Sequence, residues 1–245
     1  MLMKIAIIGC GWVGKRLAKY LTEKNYEVIA TTTSEEKVAS LKDAASEVHV
    51  LDFNTTENFD FLNNVDVAIF SMPISRESWL EGFKKLEKKF PKTILFSSTG
   101  IYPTENRTFT EKETENLRQD ILRAENLVRE KYPQTTILRF GGLMGDERAL
   151  SNMFKNRSPE NPQKKANYIH YEDILAMVEL VINSDKESET YNIVAPEHPS
   201  IAEILHIQTE ENTALSSENK QRIISSAHFI QDFNYTFIHP NPKYF

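Results

Sequence analysis

The feature that most constrains this chain lies at its N-terminus. The apolar run Lys4-Ile5-Ala6-Ile7-Ile8 leads directly into Gly9-Cys10-Gly11-Trp12-Val13-Gly14. A helical pattern follows over Trp12–Lys24, with Val13, Leu17 and Leu21 at four-residue spacing on one face. Strand, glycine turn and helix in that order assign each glycine a task. Gly9 permits the tight turn, Gly11 lets a pyrophosphate approach the backbone, and Gly14 lets the helix sit close to the sheet. The helix N-terminus then offers N–H groups and partial positive charge to phosphates. The expected ligand is a dinucleotide held by Gly9, Cys10, Gly11, Trp12, Val13 and Gly14.

The pattern after the glycine turn alternates between strand and helix. Strands are expected at Glu27–Thr31, Val48–Leu51, Val65–Phe70, Thr93–Ser97 and Thr135–Arg139. Helices are expected from Ser34, over Arg76–Phe90 and over Glu113–Lys131, the last two each stopped near a proline. Such alternation specifies an α/β fold, a doubly wound parallel sheet of the NAD(P)-binding Rossmann type. Residues 1–145 are read as its core. Residues 146–245 are read as completing the sheet and forming a small substrate-side appendage, within one structural unit. In that part Ser151–Asn167 reads as an irregular loop, Asn167–His170 and Thr190–Val194 as strands, and Glu172–Asn183 and Ile201–Ile207 as helices. Gln208–Lys220 reads as a polar surface connection.

Composition narrows the classes. The formal net charge of -6 argues against a general nucleic-acid surface. No apolar stretch reaches the ~20 residues that span a bilayer, and the expected location is the cytoplasm. Cys10 is the single cysteine, so neither an internal disulfide nor a cysteine-rich metal site can form. His170-Tyr171-Glu172-Asp173 carries no second histidine at helical spacing, so no metal is expected from it. His170 reads as a structural residue packed behind the sheet.

Further pieces stand in a telling order: Ser97-Ser98-Thr99-Gly100-Ile101-Tyr102 after strand five, Leu138-Arg139-Phe140-Gly141-Gly142 after strand six, Tyr168-Ile169-His170-Tyr171-Glu172-Asp173 before a helix, and Tyr191-Asn192-Ile193-Val194 after it. In order and spacing the chain resembles an atypical extended short-chain dehydrogenase/reductase, the NAD(P)-dependent epimerase/dehydratase group. The resemblance implies a catalytic Ser or Thr, a Tyr, and a Lys four residues after the Tyr. Ser98 takes the Ser position, with Thr99 beside it. The Tyr and Lys positions fall on Leu117 and Ile121, and no tyrosine occurs between Tyr102 and Tyr132. Tyr102 is the candidate substitute.

The resemblance also implies cofactor contacts at Asp52, Ser71, Met72, Pro73 and Ser97. Strand two ends in Thr31-Thr32-Thr33-Ser34, without the acid that holds the ribose hydroxyls in NAD sites. NADP is therefore favoured over NAD, modestly, because no Arg stands in this loop. Two functions remain open: an oxidoreductase or epimerase acting on a small carbonyl, hydroxyl or nucleotide-sugar compound, and a non-catalytic NAD(P) sensor. Partners are the dinucleotide and a small molecule, with no nucleic acid and no membrane. The chain is read as a monomer or a homodimer.

Overall fold

The strand order of the main sheet reverses beside its first strand, and that reversal organises everything else. The computed structural model describes residues 2–207 and 221–245. In chain order the elements open with β1 (Lys4–Ile8), α1 (Trp12–Glu23), β2 (Glu27–Thr32), α2 (Glu35–Val38), β3 (Glu47–Val50) and β4 (Val67–Phe70). There follow α3 (Leu80–Phe83), β5 (Lys92–Ser98), β6 (Thr108–Phe109), α4 (Gln119–Lys131), β7 (Thr136–Phe140) and β8 (Gly142–Met144). The remainder is α5 (Leu150–Met153), β9 (Tyr168–His170), α6 (Tyr171–Ile182), β10 (Thr190–Ile193), α7 (Ile201–Leu205), β11 (Ile223–Ile224) and α8 (Ala227–Phe233). Seven strands form one sheet in the order β10-β7-β5-β4-β1-β2-β3. Its pairings β1–β2, β1–β4, β2–β3 and β4–β5 are all parallel. This is the doubly wound α/β architecture expected from the alternation. The expected connection Gln208–Lys220 lies outside the described residues.

The chain divides into two compact units. One comprises residues 1–98, 119–138 and 178–190; the other comprises 99–118, 139–177 and 191–245. In the first unit the strands are near-continuous apolar runs, as parallel strands covered on both faces require. Ile5, Ala6 and Ile7 of β1 and Ala68, Ile69 and Phe70 of β4 are all fully buried. A large core cluster joins Phe70, Phe83, Phe90, Val128 and Tyr132. Phe83 meets Phe70 edge-on at 5.1 Å, the geometry that ring quadrupoles favour.

Helices Arg76–Phe90 and Glu113–Lys131 are both shorter than the sequence predicts. Only Leu80–Phe83 is α-helical in the first. Beyond it the backbone carbonyls are taken from outside. The Lys131 ammonium donates to the Lys84 carbonyl, the Tyr132 hydroxyl to that of Lys88 at 2.9 Å, and the Gln134 amide to that of Phe90 at 2.8 Å. With those acceptors satisfied, no helix is needed to pair them. Leu80, Phe83 and Leu86 are buried in the core, so this stripe faces the sheet. The second helix starts at Gln119. Asn116 sits in the left-handed region (φ 52°) and ends the preceding turn. The Glu113 carboxylate is engaged by the Arg107 guanidinium and the Glu115 amide.

The second unit carries two small parallel ladders that the sequence reading lacked, β6 with β11 and β8 with β9. β9 falls within the expected strand Asn167–His170, whereas β6, β8 and β11, of two or three residues, leave no periodicity to read. Helix α7 is closed by a capping box: the Ser200 hydroxyl accepts from the Glu203 amide, and the Glu203 carboxylate accepts from the Ser200 amide.

Gly82 shows how tightly α3 is seated. A Cβ there would stand 1.9 Å from the Phe53 carbonyl oxygen, a backbone atom that cannot swing away. Gly82→Ala is expected to destabilise the fold by about 1–3 kcal/mol, the usual cost of overpacking. Urea unfolding followed by circular dichroism measures it; an unchanged midpoint would contradict this packing.

Candidate functional site

In open α/β sheets ligands settle outside the carboxyl ends of the strands, where the strand order reverses. Here that point lies beyond β1 and β4, and a cleft of about 560 Å³ occupies it. Its walls come from the ends of four adjacent strands: Gly9, Cys10 and Gly11 after β1, Thr32 and Thr33 at the end of β2, Asp52 after β3, and Ser71, Met72 and Pro73 after β4.

The three glycines differ in surroundings as their expected tasks require. Gly9 has φ +93°, and a Cβ on it would lie 3.1 Å from the Met72 nitrogen. It is therefore fixed as glycine by conformation and by crowding alike. A Cβ on Gly11 would meet no atom within 4 Å. The space over its backbone is open, as a pyrophosphate needs. A Cβ on Gly14 would touch the Gly9 carbonyl oxygen and Ile7 at 3.4 Å, the close helix–strand contact. Gly11 caps α1 without a side-chain bond, and no carboxylate lies in the first helical turn. The N-terminal field is thus not cancelled locally.

Second-strand residues hold this loop in place. The Gly9 amide donates to the Thr31 hydroxyl at 2.9 Å and the Cys10 amide to the Thr31 carbonyl at 2.8 Å. Thr31 is 1% exposed, so its hydroxyl supports the glycine turn from behind. Thr32 and Thr33 are the members of that trio that line the cleft. The Asp52 carboxylate accepts from the Asn54 amide at 2.9 Å, which sets its turn at the cleft wall. Trp12 and Val13 stand outside the lining: the Arg16 guanidinium lies 4.0 Å over the Trp12 ring, and Val13 is buried.

The sequence reading missed Arg76, Ser78 and Trp79, which also line the cleft. They come from the loop after β4, which folds back on itself. The Trp79 indole N–H donates to the Pro73 carbonyl at 3.1 Å, and so does the Arg76 amide at 3.0 Å. Lys37, from α2, lines the same cleft. Two exposed cations thus line the cleft, and no acid stands at the end of β2.

Ser97, the remaining expected cofactor contact, and the expected catalytic residues Ser98, Thr99 and Tyr102 have these settings. The Ser97 hydroxyl donates to the buried Glu125 carboxylate at 2.6 Å. In the second unit Thr99 is buried, and its carbonyl accepts from the Arg222 guanidinium at 2.7 Å. Tyr102 is 3% exposed. Its hydroxyl donates to the Asn192 side-chain oxygen at 2.8 Å and accepts from the Arg139 guanidinium at 2.9 Å. Burial pushes the Tyr102 phenol above its ordinary range. Arg139 is itself buried beside Tyr102, its guanidinium 5.3 Å over the ring. Ser98 is half-buried. Leu117 and Ile121, at the Tyr and Lys positions, are both buried apolar side chains.

Comparison with known proteins agrees with this geometry. Residues 4–89 match the family model described as "NADP oxidoreductase coenzyme F420-dependent". Protein YeeZ of Escherichia coli (strain K12) is 24% identical over 98% of this chain and 97% of its own length. A functionally unknown conserved protein from Silicibacter pomeroyi DSS superposes with a TM-score of 0.81 at 13% identity, covering 98% of this chain and 95% of its own. The UDP-glucuronic acid 4-epimerase of Bacillus cereus, solved in complex with NAD, superposes with a TM-score of 0.73 at 17% identity, covering 96% and 91%. The fold is the Rossmann-type α/β fold that this NAD-bound epimerase also has. The atypical short-chain dehydrogenase/reductase resemblance fits it.

The loop also decides the state of Cys10. Its thiol donates to the Ile7 carbonyl at 3.7 Å, and burial pushes it up to about 12. Only the thiolate is nucleophilic, so Cys10 is expected to stay unmodified by thiol reagents at mildly alkaline pH in the folded protein. Ellman titration, native and in guanidinium, tests this; rapid native modification would contradict the inward orientation.

Proposed function

We propose that this protein binds NAD(P) in the cleft beyond β1 and β4 and is an oxidoreductase or epimerase of the epimerase/dehydratase type. The observation that carries the reading is the open backbone at Gly11, framed by the left-handed, crowded turn at Gly9 and the close helix–strand contact at Gly14. The pyrophosphate lies over Gly9–Gly11, the adenosine ribose at Thr32 and Thr33, and the adenine beside Asp52. Ser71, Met72 and Pro73 run along the cofactor. When bound, the dinucleotide supplies hydride exchange; the chain's own residues bind and orient. The substrate class is a small carbonyl or hydroxyl compound or a nucleotide sugar, which Ser98 and Thr99 orient. Tyr102 is the less apt of the proton-transfer candidates, since its hydroxyl is spent on Arg139 and Asn192.

NADP is the favoured cofactor. Thr32 and Thr33 offer hydroxyls, and Arg76 and Lys37 line the same cleft. A guanidinium recognises a phosphate through paired N–H donors, and an ammonium does so as a point charge. Calorimetric titration of both cofactors is expected to give tighter binding of NADP(H). Arg76→Ala should weaken NADP(H) about tenfold, the worth of one charged hydrogen bond, and leave NAD(H) unchanged. Gly11→Val should abolish both while the circular dichroism spectrum persists. Unaltered affinity in a folded Gly11→Val protein, or a clear preference for NAD(H), would overturn the respective assignment.

Turnover through a Tyr–Lys pair is expected to be absent, because Leu117 and Ile121 carry no exchangeable proton. A general acid or base contributes about 10²–10⁴-fold, so the residual rate should be correspondingly low. A screen of nucleotide sugars and small carbonyl compounds, read by cofactor absorbance and by product analysis, measures it. Ser98→Ala should cut the rate further, and robust turnover unaffected by that change would move the chemistry elsewhere. Tight nucleotide binding with no turnover would instead mark a non-catalytic NAD(P) sensor.

A further inference from the structure

Far along the chain from the glycine turn, three metal-ligating side chains converge at the junction of β9 and α6. His170 ends β9, Glu172 stands in the first turn of α6, and His239 comes from the C-terminal segment, 67 residues beyond Glu172. One donor atom of each lies within 4.8 Å of the other two. We propose that His170, Glu172 and His239 form a binding site for a divalent transition-metal ion of the Zn²⁺ class, which fastens the C-terminal segment to the start of α6. The proposal is independent of the dinucleotide reading.

The donor set is the first argument. Two imidazole nitrogens and one carboxylate oxygen suit a borderline-soft ion, and three protein ligands leave the fourth position to water. The orientation of the rings is the second. The His170 Nε2 edge is turned toward Gly145, where a Cβ would approach it to 2.7 Å. Its Nδ1 therefore faces Glu172. That lone pair receives only a long contact, 3.3 Å, from the Glu172 amide, and the Glu172 Oε2 lies 3.7 Å away. The His239 Nε2 approaches the same Oε2 to 2.5 Å. The two rings sit 3.9 Å apart, centroid to centroid.

Donor atoms around a tetrahedral zinc lie about 3.4 Å apart. The His170–Glu172 separation already matches this, and the His239–Glu172 pair needs to open by about 1 Å. A purely ionic pairing explains the Glu172–His239 contact but does not account for the second imidazole, whose Nδ1 lies 3.7 Å from the same Oε2. Two imidazolium rings 3.9 Å apart would repel. The neutral imidazole is the form that ligates.

The surroundings supply the support that ligands require. The Asp173 carboxylate is fully buried and accepts from the Ile238 amide at 2.7 Å, the His239 amide at 2.9 Å and the Tyr235 hydroxyl at 2.8 Å. The backbone carrying His239 is thus fixed before any ion arrives. The Phe245 ring stands edge-on to both histidines, at 5.4 and 6.0 Å. Glu172 is 46% and His239 28% exposed in the side chain, so an ion can enter from solvent. The sequence could not show this site, because its second histidine belongs to a distant segment.

The test uses the full chain, stripped with a chelator and dialysed. Zn²⁺ is titrated against a chromophoric indicator, and Co²⁺ is followed by its visible d–d bands. One equivalent is expected, with no thiolate charge-transfer band, together with a raised thermal midpoint that the chelator reverses. His239→Asn and Glu172→Gln should each weaken Zn²⁺ by more than the roughly 10–100-fold that loss of an outer-shell partner costs. Both positions are partly exposed, so folding of the variants is checked by circular dichroism before titration. Wild-type binding no tighter than that of the His239→Asn/Glu172→Gln double variant overturns the proposal. So does one equivalent retained undiminished in both single variants, which would place the ion at other surface histidines.

Discussion

The turn at Gly9 is the contact on which the first unit depends. Its left-handed backbone lets β1 end against the Ser71–Met72 segment that follows β4, so closely that a Cβ would stand 3.1 Å from the Met72 nitrogen. The same turn hangs from β2 through the two bonds that Thr31 accepts. Three strand ends are therefore registered to one another by a single glycine and a single threonine. The cleft exists because these ends are held while the backbone at Gly11 faces open space.

Around that anchor the fold satisfies its polar groups with side chains wherever helices stop short. Lys92 is an instance: its ammonium donates to the carbonyls of Val181, Ile182 and Ser184 at the end of α6. A cation at a helix C-terminus meets both the orphan carbonyls and the dipole. Burial holds Lys92 below its ordinary value, the cost of placing it there. Tyr132 and Gln134 do comparable work for the segment after α3. Arg222 does it in the second unit, donating to the carbonyls of Thr99, Tyr102 and Pro103. Such groups resemble functional residues in a sequence but are consumed by structure.

Tyr102 and Arg139 illustrate the same economy. Each carries chemistry by residue type, and each lies beside a motif of the resemblance. In the folded chain the Tyr102 hydroxyl bonds to Arg139 and to the Asn192 side-chain oxygen, and the Asn192 backbone amide in turn donates to the Glu111 carboxylate. The Tyr102 phenol is thus raised by burial and paired with both Arg139 and Asn192. The loss of Tyr and Lys at Leu117 and Ile121 is likewise complete at the level of packing, since both side chains are buried.

The sequence by itself determined the α/β alternation and the glycine turn between β1 and α1, because those rest on local periodicity and on the absence of a Cβ. It also exposed the missing Tyr–Lys pair, which is a matter of residue identity. Tertiary structure decided what depends on distant segments meeting. Helix lengths after Leu80 and before Gln119 were set by outside donors and by one left-handed asparagine. Arg76 reached the cleft only because the loop after β4 folds back onto Pro73. The pairing of His170 with His239 depends on a C-terminal segment that Asp173 holds in place. Periodicity reports the face a residue presents along its own element, whereas these contacts join elements that the chain keeps far apart.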